Sequence, residues 1–343
     1  MRRYEHGGDI YGNKGIELDF SVNTNPLGLP EEVKRALISG VPDYERYPDP
    51  LCRKLTQAIA AHHSVGVENV LCGNGAADMI FRLCACFKPR LAFTLAPTFS
   101  EYERPVRLFG GEVAEFALSH ENGFAVGEGV LGAIPQNADM VFLCNPNNPT
   151  GRLMDHELML ELAQACARRN ALLVADECFL PFTAGESMIP YIKRFPNLLV
   201  LRAFTKLYAM AGLRLGYLVG EAALLARAAE FAPKWSVSVP AQAAGLAALS
   251  AEPVWTAQTR ALVAEERAYL AKGLSSLGLT VFPGEANYLL LRCPKPLYEP
   301  LRSKGILVRG CANFTGLDES YIRVCVKTRQ ANDLLLRAIR GVL

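Results

Sequence analysis

The stretch LRAFTKLYAMAGLRLGYLVG, residues 201–220, contains two apolar runs, and each run adjoins one cationic residue. Lys206 follows the first run, and Arg214 lies at the start of the second. Lysine and arginine side chains are almost never fully buried in proteins unless they are paired with another group. Because both residues are flanked by residues typical of a core, we expect each of them to have a buried partner.

Short apolar runs alternate with longer amphipathic segments along the first two thirds of the chain. Each run is nearly uninterrupted, which is typical of parallel strands that are covered on both faces. One intervening segment, DHELMLELAQACARRN, has apolar residues at helical spacing, and Asp155 is placed to cap that helix. The sequence therefore predicts an α/β protein with a mostly parallel sheet. The predicted strands are VLC, LAFTLAP, MVFLC, ALLVAD, LLVLRAF and LRLGYLVG, which begin at residues 70, 91, 140, 171, 198 and 213.

The pattern of the sequence changes after Trp235, where long alanine-rich helical segments are followed by short strands and a terminal helix. This change predicts a second, smaller α+β domain. We expect residues 1–41 to form an N-terminal arm that packs with the small domain. Residues 42–245 are expected to form the large domain, and residues 246–343 the small one.

The composition argues against several classes of partner. The chain has 343 residues and a formal net charge of +2, which is too small to indicate a nucleic-acid or membrane-surface partner. No apolar run is long enough to cross a membrane or to serve as a signal peptide. The ten scattered cysteines suit a reducing compartment, and the five histidines lack metal-ligand spacing. We therefore expect a cytoplasmic protein that binds no metal, nucleic acid or membrane.

Polar or glycine-rich groups follow four of the predicted strands. GNG occupies residues 73–75, NPNNPTG occupies residues 145–151, Asp176 closes the run ALLVAD, and Lys206 comes just after LLVLRAF. Each group alone is explained equally well as a turn, a helix cap or a solvated side chain. In open parallel sheets, however, ligands bind outside the carboxyl ends of the strands. The joint occurrence of these groups at strand ends therefore indicates one site.

A phosphate cradle, a carboxylate and an amine together suit the chemistry of pyridoxal 5'-phosphate (PLP). That cofactor needs a lysine for its aldehyde and an acid beside its pyridine nitrogen, so that the ring can accept electrons. Lys206 and Asp176 are the candidate catalytic residues for these roles. The planar guanidinium of Arg214 would pair with the cofactor phosphate, so the expected partners of both cations are parts of the cofactor.

The chain closely resembles the fold type I, aspartate-aminotransferase-like PLP enzymes over essentially all 343 residues. The motifs that carry the resemblance are N-P-x-N-P-T-G, D-E, T-K and G-L-R-L-G. By this resemblance Asn148 would bond the ring hydroxyl of the cofactor, and Tyr47 would reach the cofactor phosphate of a neighbouring subunit in a homodimer with shared sites. Phe99 lies where the family stacks an aromatic ring on the cofactor, although it is explained equally well as a core residue. The residues implied to bind the cofactor are Tyr47, Gly75, Ala76, Ala77, Phe99, Asn148, Asp176, Thr205, Lys206 and Arg214.

The chain departs from the family pattern at two positions. Phe179 stands where the family's aminotransferases usually carry a tyrosine that bonds the ring hydroxyl, so Asn148 is expected to hold that oxygen alone. Ala203 stands where a small hydroxyl residue is often found, which leaves Thr205 as the nearby hydroxyl. We expect phosphate binding to persist through Arg214 and the backbone of residues 75–77.

Two subgroups of the family compete. Histidinol-phosphate aminotransferases share the core motifs, but several stretches look more like the L-threonine-O-3-phosphate decarboxylases of cobalamin biosynthesis. These stretches are HGGDI, FSVNTNPLG, ERYPDP, KWSVSVPAQ, ANYLLLRC and GCANFTGLDESYIRV. The decarboxylase is the leading interpretation. A PLP-binding regulatory module without turnover is a third possibility, and the presence of Lys206 favours an enzyme.

The resemblance also implies how the substrate is held. The two activities differ in which bond of the substrate stands perpendicular to the cofactor ring, because only that bond is activated. An aminotransferase would place the substrate carboxylate on Arg323, whereas a decarboxylase would place the substrate phosphate there. Taken alone, Arg323 could equally be a surface residue of an edge strand. The residues implied to bind a phosphorylated amino acid substrate are His6, Asn25, Asn148, Arg309 and Arg323.

Overall fold

The computed structural model describes residues 6–343, so the first five residues of the predicted arm lie outside it. No helix in this range combines the length and the apolar character that crossing a bilayer would require. The strands are β1 (Leu18–Asp19), β2 (Val70–Gly73), β3 (Leu91–Ala96), β4 (Glu112–Ala117), β5 (Met140–Cys144), β6 (Leu172–Asp176), β7 (Leu198–Ala203), β8 (Gly216–Gly220), β9 (Thr280–Val281), β10 (Tyr288–Arg292), β11 (Ile306–Leu307), β12 (Arg309–Gly310) and β13 (Tyr321–Cys325).

Helices separate most of these strands. They are α1 (Glu31–Ser39), α2 (Arg53–His63), α3 (Ala76–Phe87), α4 (Glu103–Leu108), α5 (Gly129–Ala133), α6 (His156–Arg168), α7 (Phe204–Leu207), α8 (Ala222–Ala229), α9 (Val239–Ala251), α10 (Val254–Ser276), α11 (Tyr298–Arg302) and α12 (Arg329–Arg340). The predicted cap of α6 is confirmed, because the Asp155 carboxylate accepts from the backbone N–H groups of Glu157 and Leu158.

A seven-stranded sheet forms the centre of the molecule, in the order β2-β8-β7-β6-β5-β3-β4. Its interior strands β5, β6 and β7 are almost entirely buried, as their uninterrupted apolar runs predict. The predicted α/β fold with a mostly parallel sheet is confirmed. Strand β4 was not predicted, because it is an edge strand whose sequence EVAEFA is largely exposed or half-buried rather than an apolar run.

Strand β8 explains why Arg214 belongs to the same site as the other strand-end residues. It runs antiparallel to both of its neighbours, β2 and β7, whereas the other paired strands of the sheet are parallel. Its amino end therefore lies at the edge where the parallel strands have their carboxyl ends. Gly216 at the start of β8 pairs with Ala203 on one side and Gly73 on the other. Arg214, two residues earlier, emerges at that edge.

A four-stranded antiparallel sheet, β12-β13-β10-β9, is the framework of the C-terminal part. The N-terminal arm joins it, since β1 pairs with β11 and Phe20 is fully buried in the core of this part. Helix α1, which also belongs to the predicted arm, packs instead on α9. The predicted boundary at residue 245 falls inside α9, so the division into domains stays a prediction.

Candidate active site

The start of α3 forms an open anion cradle next to Arg214. Gly75 caps this helix with φ of +87°, and no side chain caps the helix N-terminus. A Cβ at Gly75 would lie 2.6 Å from Nη2 of Arg214, and a Cβ at Gly216 would lie 2.9 Å from the backbone nitrogen of Ala76. Both glycines therefore permit a close approach that any other residue would block. The N–H groups of Ala76 and Ala77 and the guanidinium can converge on one phosphate.

Arg214 does not have the buried protein partner that its apolar flanks suggested. It is exposed, its backbone is left-handed with φ of +55°, and its Nη1 donates to the carbonyl of Ala211 at 3.2 Å. It makes no ion pair within residues 6–343. The expectation of burial is wrong because Arg214 precedes the strand at the open edge of the sheet. Its charge is left for an external anion.

Asp176 lies at the end of β6 and is only 4% exposed. Its Oδ2 accepts from the hydroxyl of Tyr102 at 2.6 Å, and its Oδ1 accepts from the backbone N–H of Cys178 at 3.0 Å. Burial raises the pKa of Tyr102 well above its ordinary value, and the adjacent Asp176 charge raises that pKa further, so Tyr102 stays a donor. Tyr102 is not among the site residues that the sequence predicted, although it lies three residues after Phe99 in the segment APTFSEY.

Lys206 is half-buried beside this carboxylate's strand, and its surroundings weaken its hold on a proton. Burial, followed by the positive charge of Arg323, lowers the pKa of Lys206 to about 8. With that pKa, about a tenth of the amine is neutral at pH 7, far more than for an ordinary lysine. A neutral amine is the form that attacks an aldehyde or accepts a proton. The Nζ atom lies 5.7 Å from the centre of the Phe179 ring.

Asn25, which lies in the N-terminal arm, holds the backbone that follows Lys206 through a hydrogen bond. The side chain of Asn25 donates to the carbonyl of Leu207 at 2.6 Å and to Oγ1 of Thr259 at 2.7 Å, and its own oxygen accepts from the N–H of Leu27. The expectation that Asn25 contacts substrate is therefore corrected, since both of its N–H donors are used within the protein.

Asn23, two residues earlier, is the asparagine that faces Arg323. When the Asn23 amide is oriented with its oxygen toward Arg323, this oxygen accepts from Nε and Nη1 of Arg323 at 3.3 Å. The motif FSVNTNPLG contains both asparagines, and only the path of the chain distinguishes them.

Arg323 is 6% exposed and joins the arm to the NPNNPTG loop. Its Nη1 donates to Oδ1 of Asn148 at 2.5 Å, and its Nη2 donates to the carbonyl of Ser21 at 2.8 Å. It makes no ion pair within the described part of the chain. The interpretation of Arg323 as a surface residue is therefore wrong. Because Oδ1 of Asn148 is taken by Arg323, the Asn148 Nδ2 donor is the group that could bond the ring hydroxyl of a cofactor.

Arg309 lies directly opposite Arg323 in the β12–β13 pair. Residues opposite each other in antiparallel strands point to the same face of the sheet, and like charges at such positions repel. Arg309 is 8% exposed, donates to Oδ1 of Asn313 at 2.7 Å and lies 5.1 Å from the Phe314 ring. The register thus brings two buried arginines to one face of the small sheet, which suits the binding of an anion.

Phe99 is half-buried between two aromatic neighbours. Its ring lies 5.5 Å from that of Tyr102 in an edge-to-face contact and 6.5 Å from that of His6. The Nε2 atom of His6 lies 2.8 Å from the Glu101 carboxylate, and this contact lowers the pKa of Glu101. Phe99 and His6 are thus adjacent, as their assignment to one site requires.

Phe179, which stands where the family pattern usually has a tyrosine, packs against Tyr288. Their rings meet edge to face at 5.0 Å, and the hydroxyl of Tyr288 donates to the carbonyl of Asn147 at 3.0 Å. Tyr288 therefore anchors the loop that carries Asn148. Tyr288 lies in the segment ANYLLLRC and is not among the site residues that the sequence predicted.

Two of the remaining candidates differ sharply in exposure. Thr205 is 6% exposed next to Lys206, whereas Tyr47 is 81% exposed and lies against Trp235, with ring centres 4.9 Å apart. Tyr47 makes no contact with the strand-end residues of its own chain that the structure describes. Residues 6–343 contain no group of three or more His, Cys, Asp or Glu suited to a metal.

The donor set fits PLP at each end of that molecule. A buried carboxylate without an ion-pair partner in the described range, Asp176, suits a protonated pyridine nitrogen. The uncapped start of α3 and Arg214 suit the phosphate, and Lys206 supplies the amine for the aldehyde. Gly75 is decisive for this fit, because a side chain there would fill the space between the helix and Arg214.

Comparisons with known proteins agree with this chemistry. Residues 16–339 match the family Aminotransferase class I and II. Threonine-phosphate decarboxylase from Salmonella typhimurium is 42% identical over 332 residues, which cover 95% of this chain and 91% of that protein. Histidinol-phosphate aminotransferase from Desulfitobacterium hafniense is 34% identical over 96% of this chain and 92% of that protein. The crystal structure of histidinol-phosphate aminotransferase from Clostridium acetobutylicum superposes with a TM-score of 0.88 at 27% identity, covering 95% of this chain and 98% of that one. The chain therefore belongs to the class I and II aminotransferase family of enzymes, and its cofactor is pyridoxal 5'-phosphate.

Proposed function

We propose that this protein decarboxylates L-threonine O-3-phosphate to (R)-1-amino-2-propanol O-phosphate, a precursor for cobalamin biosynthesis in the cytoplasm. The observation that carries the proposal is the facing pair Arg309 and Arg323, buried on one face of the small sheet. The higher identity to a threonine-phosphate decarboxylase, 42% against 34% for a histidinol-phosphate aminotransferase, supports the same choice. Ten free thiols suit the reducing compartment.

The substrate chemistry explains why two arginines would be needed. L-threonine O-3-phosphate carries a phosphate and a carboxylate on neighbouring carbons, and the phosphate is close to doubly charged at neutral pH. Guanidinium groups bind phosphate through paired, charge-assisted hydrogen bonds. Arg323, with Arg309 and His6, would hold the phosphate, and this contact would turn the carboxylate out of the cofactor plane.

The chain's own residues would supply orientation and proton transfer. When bound, PLP supplies an electron sink that stabilises the carbanion left by the departing group. Asp176, fixed by Tyr102, would hold the positive charge at the pyridine nitrogen. Lys206, with its pKa lowered to about 8, would move a proton to or from the substrate Cα. Asn148 would position the ring hydroxyl through Nδ2, because its oxygen is bonded to Arg323.

A related aminotransferase is the second candidate. The observation in its favour is the bond between Arg323 and Asn148, which ties the substrate arginine to the loop beside the cofactor and would suit a carboxylate held near the ring plane. In that case Lys206 would remove the Cα proton as a general base. The two candidates therefore differ in which substrate group meets Arg323.

The proposal includes a homodimer with shared sites. Its support is the exposed aromatic pair Tyr47 and Trp235, whose ring centres lie 4.9 Å apart, together with Val41 and Leu51, which are also exposed. Aromatic side chains are enriched at protein interfaces. Mixing two inactive variants, Lys206→Ala and Tyr47→Ala, should restore part of the activity if Tyr47 serves the partner's site, and the mass in solution should be that of a dimer.

The deciding experiment uses purified, PLP-loaded protein and L-threonine O-3-phosphate without a keto acid. The proposal predicts sustained release of carbon dioxide, with the absorbance of the cofactor returning to that of its aldehyde form. Lys206→Ala is the control and should release none above background. Absence of release, together with conversion of the cofactor to its amine form by histidinol phosphate, would instead establish the aminotransferase.

A further inference from the structure

We infer that Asn25 is a positioning residue for Lys206, which fixes the turn that carries this lysine by joining it to helix α10. This role replaces the substrate contact expected from the sequence. It rests on the assignment of Lys206 as the cofactor lysine and holds for either candidate reaction. The contacts that support it come from three separate parts of the chain.

The first support is the hydrogen bonding at the end of α7. This helix has only four residues, and its Lys206 carbonyl accepts one local bond, from the backbone N–H of Ala209 at 3.2 Å. The backbone N–H of Asn25 donates to the Lys206 carbonyl at 3.0 Å, and the side chain of Asn25 donates to the Leu207 carbonyl at 2.6 Å. The same asparagine thus holds two consecutive carbonyls, one of which belongs to Lys206.

The second support is the connection to α10. Asn25 bonds Oγ1 of Thr259, which is fully buried, and Nε1 of Trp255 donates to the Leu207 carbonyl at 2.9 Å. Trp255 and Thr259 are four residues apart and therefore lie on one face of the helix. Trp255 of α10 and Asn25 of the arm thus meet at the Leu207 carbonyl, and Thr259 bonds Asn25 from the same face of α10.

The third support is the internal geometry of Asn25. It is 3% exposed, and its Oδ1 accepts from the N–H of Leu27 at 3.0 Å, which fixes the orientation of the amide. The arm around it is also held, because Asn287 donates to the Asn23 carbonyl at 3.1 Å. Asn25 is therefore a fixed point against which the Lys206 turn is placed, and it leaves no side-chain donor for a substrate.

The physical consequence concerns the direction and the surroundings of the Lys206 amine. Placement errors of about an ångström at a reacting group can cost on the order of a hundredfold in rate. If the turn relaxes, Lys206 gains access to water and moves relative to Arg323, whose charge weakens its hold on a proton. Loss of Asn25 should therefore reduce turnover and change the proton affinity of Lys206, with little change in the binding of substrate.

The test compares Asn25→Ala with Asn69→Ala, a matched control. Asn69 is a half-buried asparagine whose Nδ2 donates to the Gly220 carbonyl at 2.8 Å, at the far end of β8 from the site. We expect Asn25→Ala to lower kcat about tenfold while KM changes about twofold or less. In the full-length protein without cofactor, the pH midpoint for labelling of Lys206 by an amine-reactive reagent should rise by several tenths of a unit or more. Asn69→Ala should leave both kcat and the midpoint unchanged.

Thr259→Val provides a second variant if Asn25→Ala does not fold. It keeps the shape of the side chain but removes the oxygen that Asn25 bonds, and it should shift the Lys206 midpoint in the same direction by a smaller amount. A rise in KM at constant kcat for Asn25→Ala would overturn the inference and restore the substrate contact. An unchanged labelling midpoint in both variants would also overturn it. Because the labelling needs no substrate, its outcome is independent of whether the decarboxylase or the aminotransferase is correct.

Discussion

The two ends of the candidate active site are built differently. The cofactor end consists of residues at the edge of the seven-stranded sheet, where Asp176 ends its strand and Gly75 and Lys206 follow theirs within a few residues. The substrate end lies inside the four-stranded sheet, where Arg323 and Arg309 sit in the strands themselves. Their cations differ accordingly, since Arg214 at the cofactor end is exposed and Arg323 is buried.

This difference shows how each end can be recognised and how it should respond to mutation. A site at strand ends is encoded by contiguous sequence motifs, because the turn and the functional side chain are neighbours in sequence. A site within a sheet depends on partners from distant segments, such as Ser21 and Asn148 around Arg323. Removal of a buried, multiply bonded cation is therefore expected to cost more than removal of an exposed one.

The largest effect is expected for Arg323→Met. This change keeps much of the side-chain volume but removes the buried charge, which leaves Oδ1 of Asn148 and the substrate anion without their donor. Truncating one partner of a buried charge pair costs about 2–5 kcal/mol, so kcat/KM for the phosphorylated substrate should fall about a thousandfold. Steady-state kinetics measure this fall. Arg214→Met is the comparison, and it should weaken cofactor binding more than it changes KM. A loss of less than about tenfold for Arg323→Met would show that the two ends do not differ in this way.

Tyr102→Phe is expected to weaken the cofactor end by a smaller amount. The hydroxyl of Tyr102 donates to a charged acceptor, Asp176, and hydrogen bonds of this kind contribute about 1.5–3 kcal/mol. The dissociation constant of PLP, measured by equilibrium dialysis, should rise about 10- to 100-fold. Tyr288→Phe removes a buried hydroxyl that donates to a neutral carbonyl and should have a weaker effect. Equal effects of the two changes would mean that the charge of Asp176 is not the reason for the contact.

His63, the last residue of helix α2, should make the stability of the folded protein sensitive to acid. Burial lowers the pKa of His63 to about 3, and its Nε2 lies 2.8 Å from the Tyr217 hydroxyl. The unfolded chain takes up a proton near pH 6.5 that the folded state refuses, so stability falls as the pH drops below that value. The slope is about 1.4 kcal/mol per pH unit for one proton.

His63→Gln should remove this slope, which denaturant unfolding at pH 7 and pH 5.5 would measure. Glu252, whose pKa is lowered to about 2, loses its stabilising contribution only as the pH falls below its unfolded value near 4.5, so it does not interfere in that range. His120→Gln, at an exposed position, is the control and should behave like the wild type. An unchanged slope in His63→Gln would contradict the assignment.

The smallest effect is expected on the proton affinity of Lys206, where the two ends meet. The rate at which cofactor-free protein takes up PLP should rise with pH around a midpoint near 8, since only the neutral amine attacks the aldehyde. Arg323→Met should move this midpoint upward by less than about one unit, because a nearby positive charge is lost. Arg214→Met should move it less, because Arg214 contributes less than Arg323 to lowering the pKa. A larger shift from Arg214 would reverse the comparison.

The sequence alone determined the fold class and the cofactor, and it supplied the candidate residues of the cofactor end. Uninterrupted apolar runs predicted the interior strands β5, β6 and β7, and the groups that follow the strands predicted Asp176 and Lys206. This worked because side-chain periodicity, turn chemistry and helix capping are local properties of the chain. The edge strand β4 was missed for the same reason, since it lacks the apolar run of a buried strand.

The tertiary structure decided which polar residues meet. It brought Asn23 into contact with Arg323 and Asn25 into contact with the Lys206 turn, although the two asparagines are separated by a single residue. It also placed Tyr102 on Asp176 and brought Arg309 opposite Arg323. These contacts join segments up to 302 residues apart, as between Arg323 and Ser21, and they depend on strand register and on the path of the arm. No local pattern encodes such distances, because they are set by how the two sheets and the arm pack against one another.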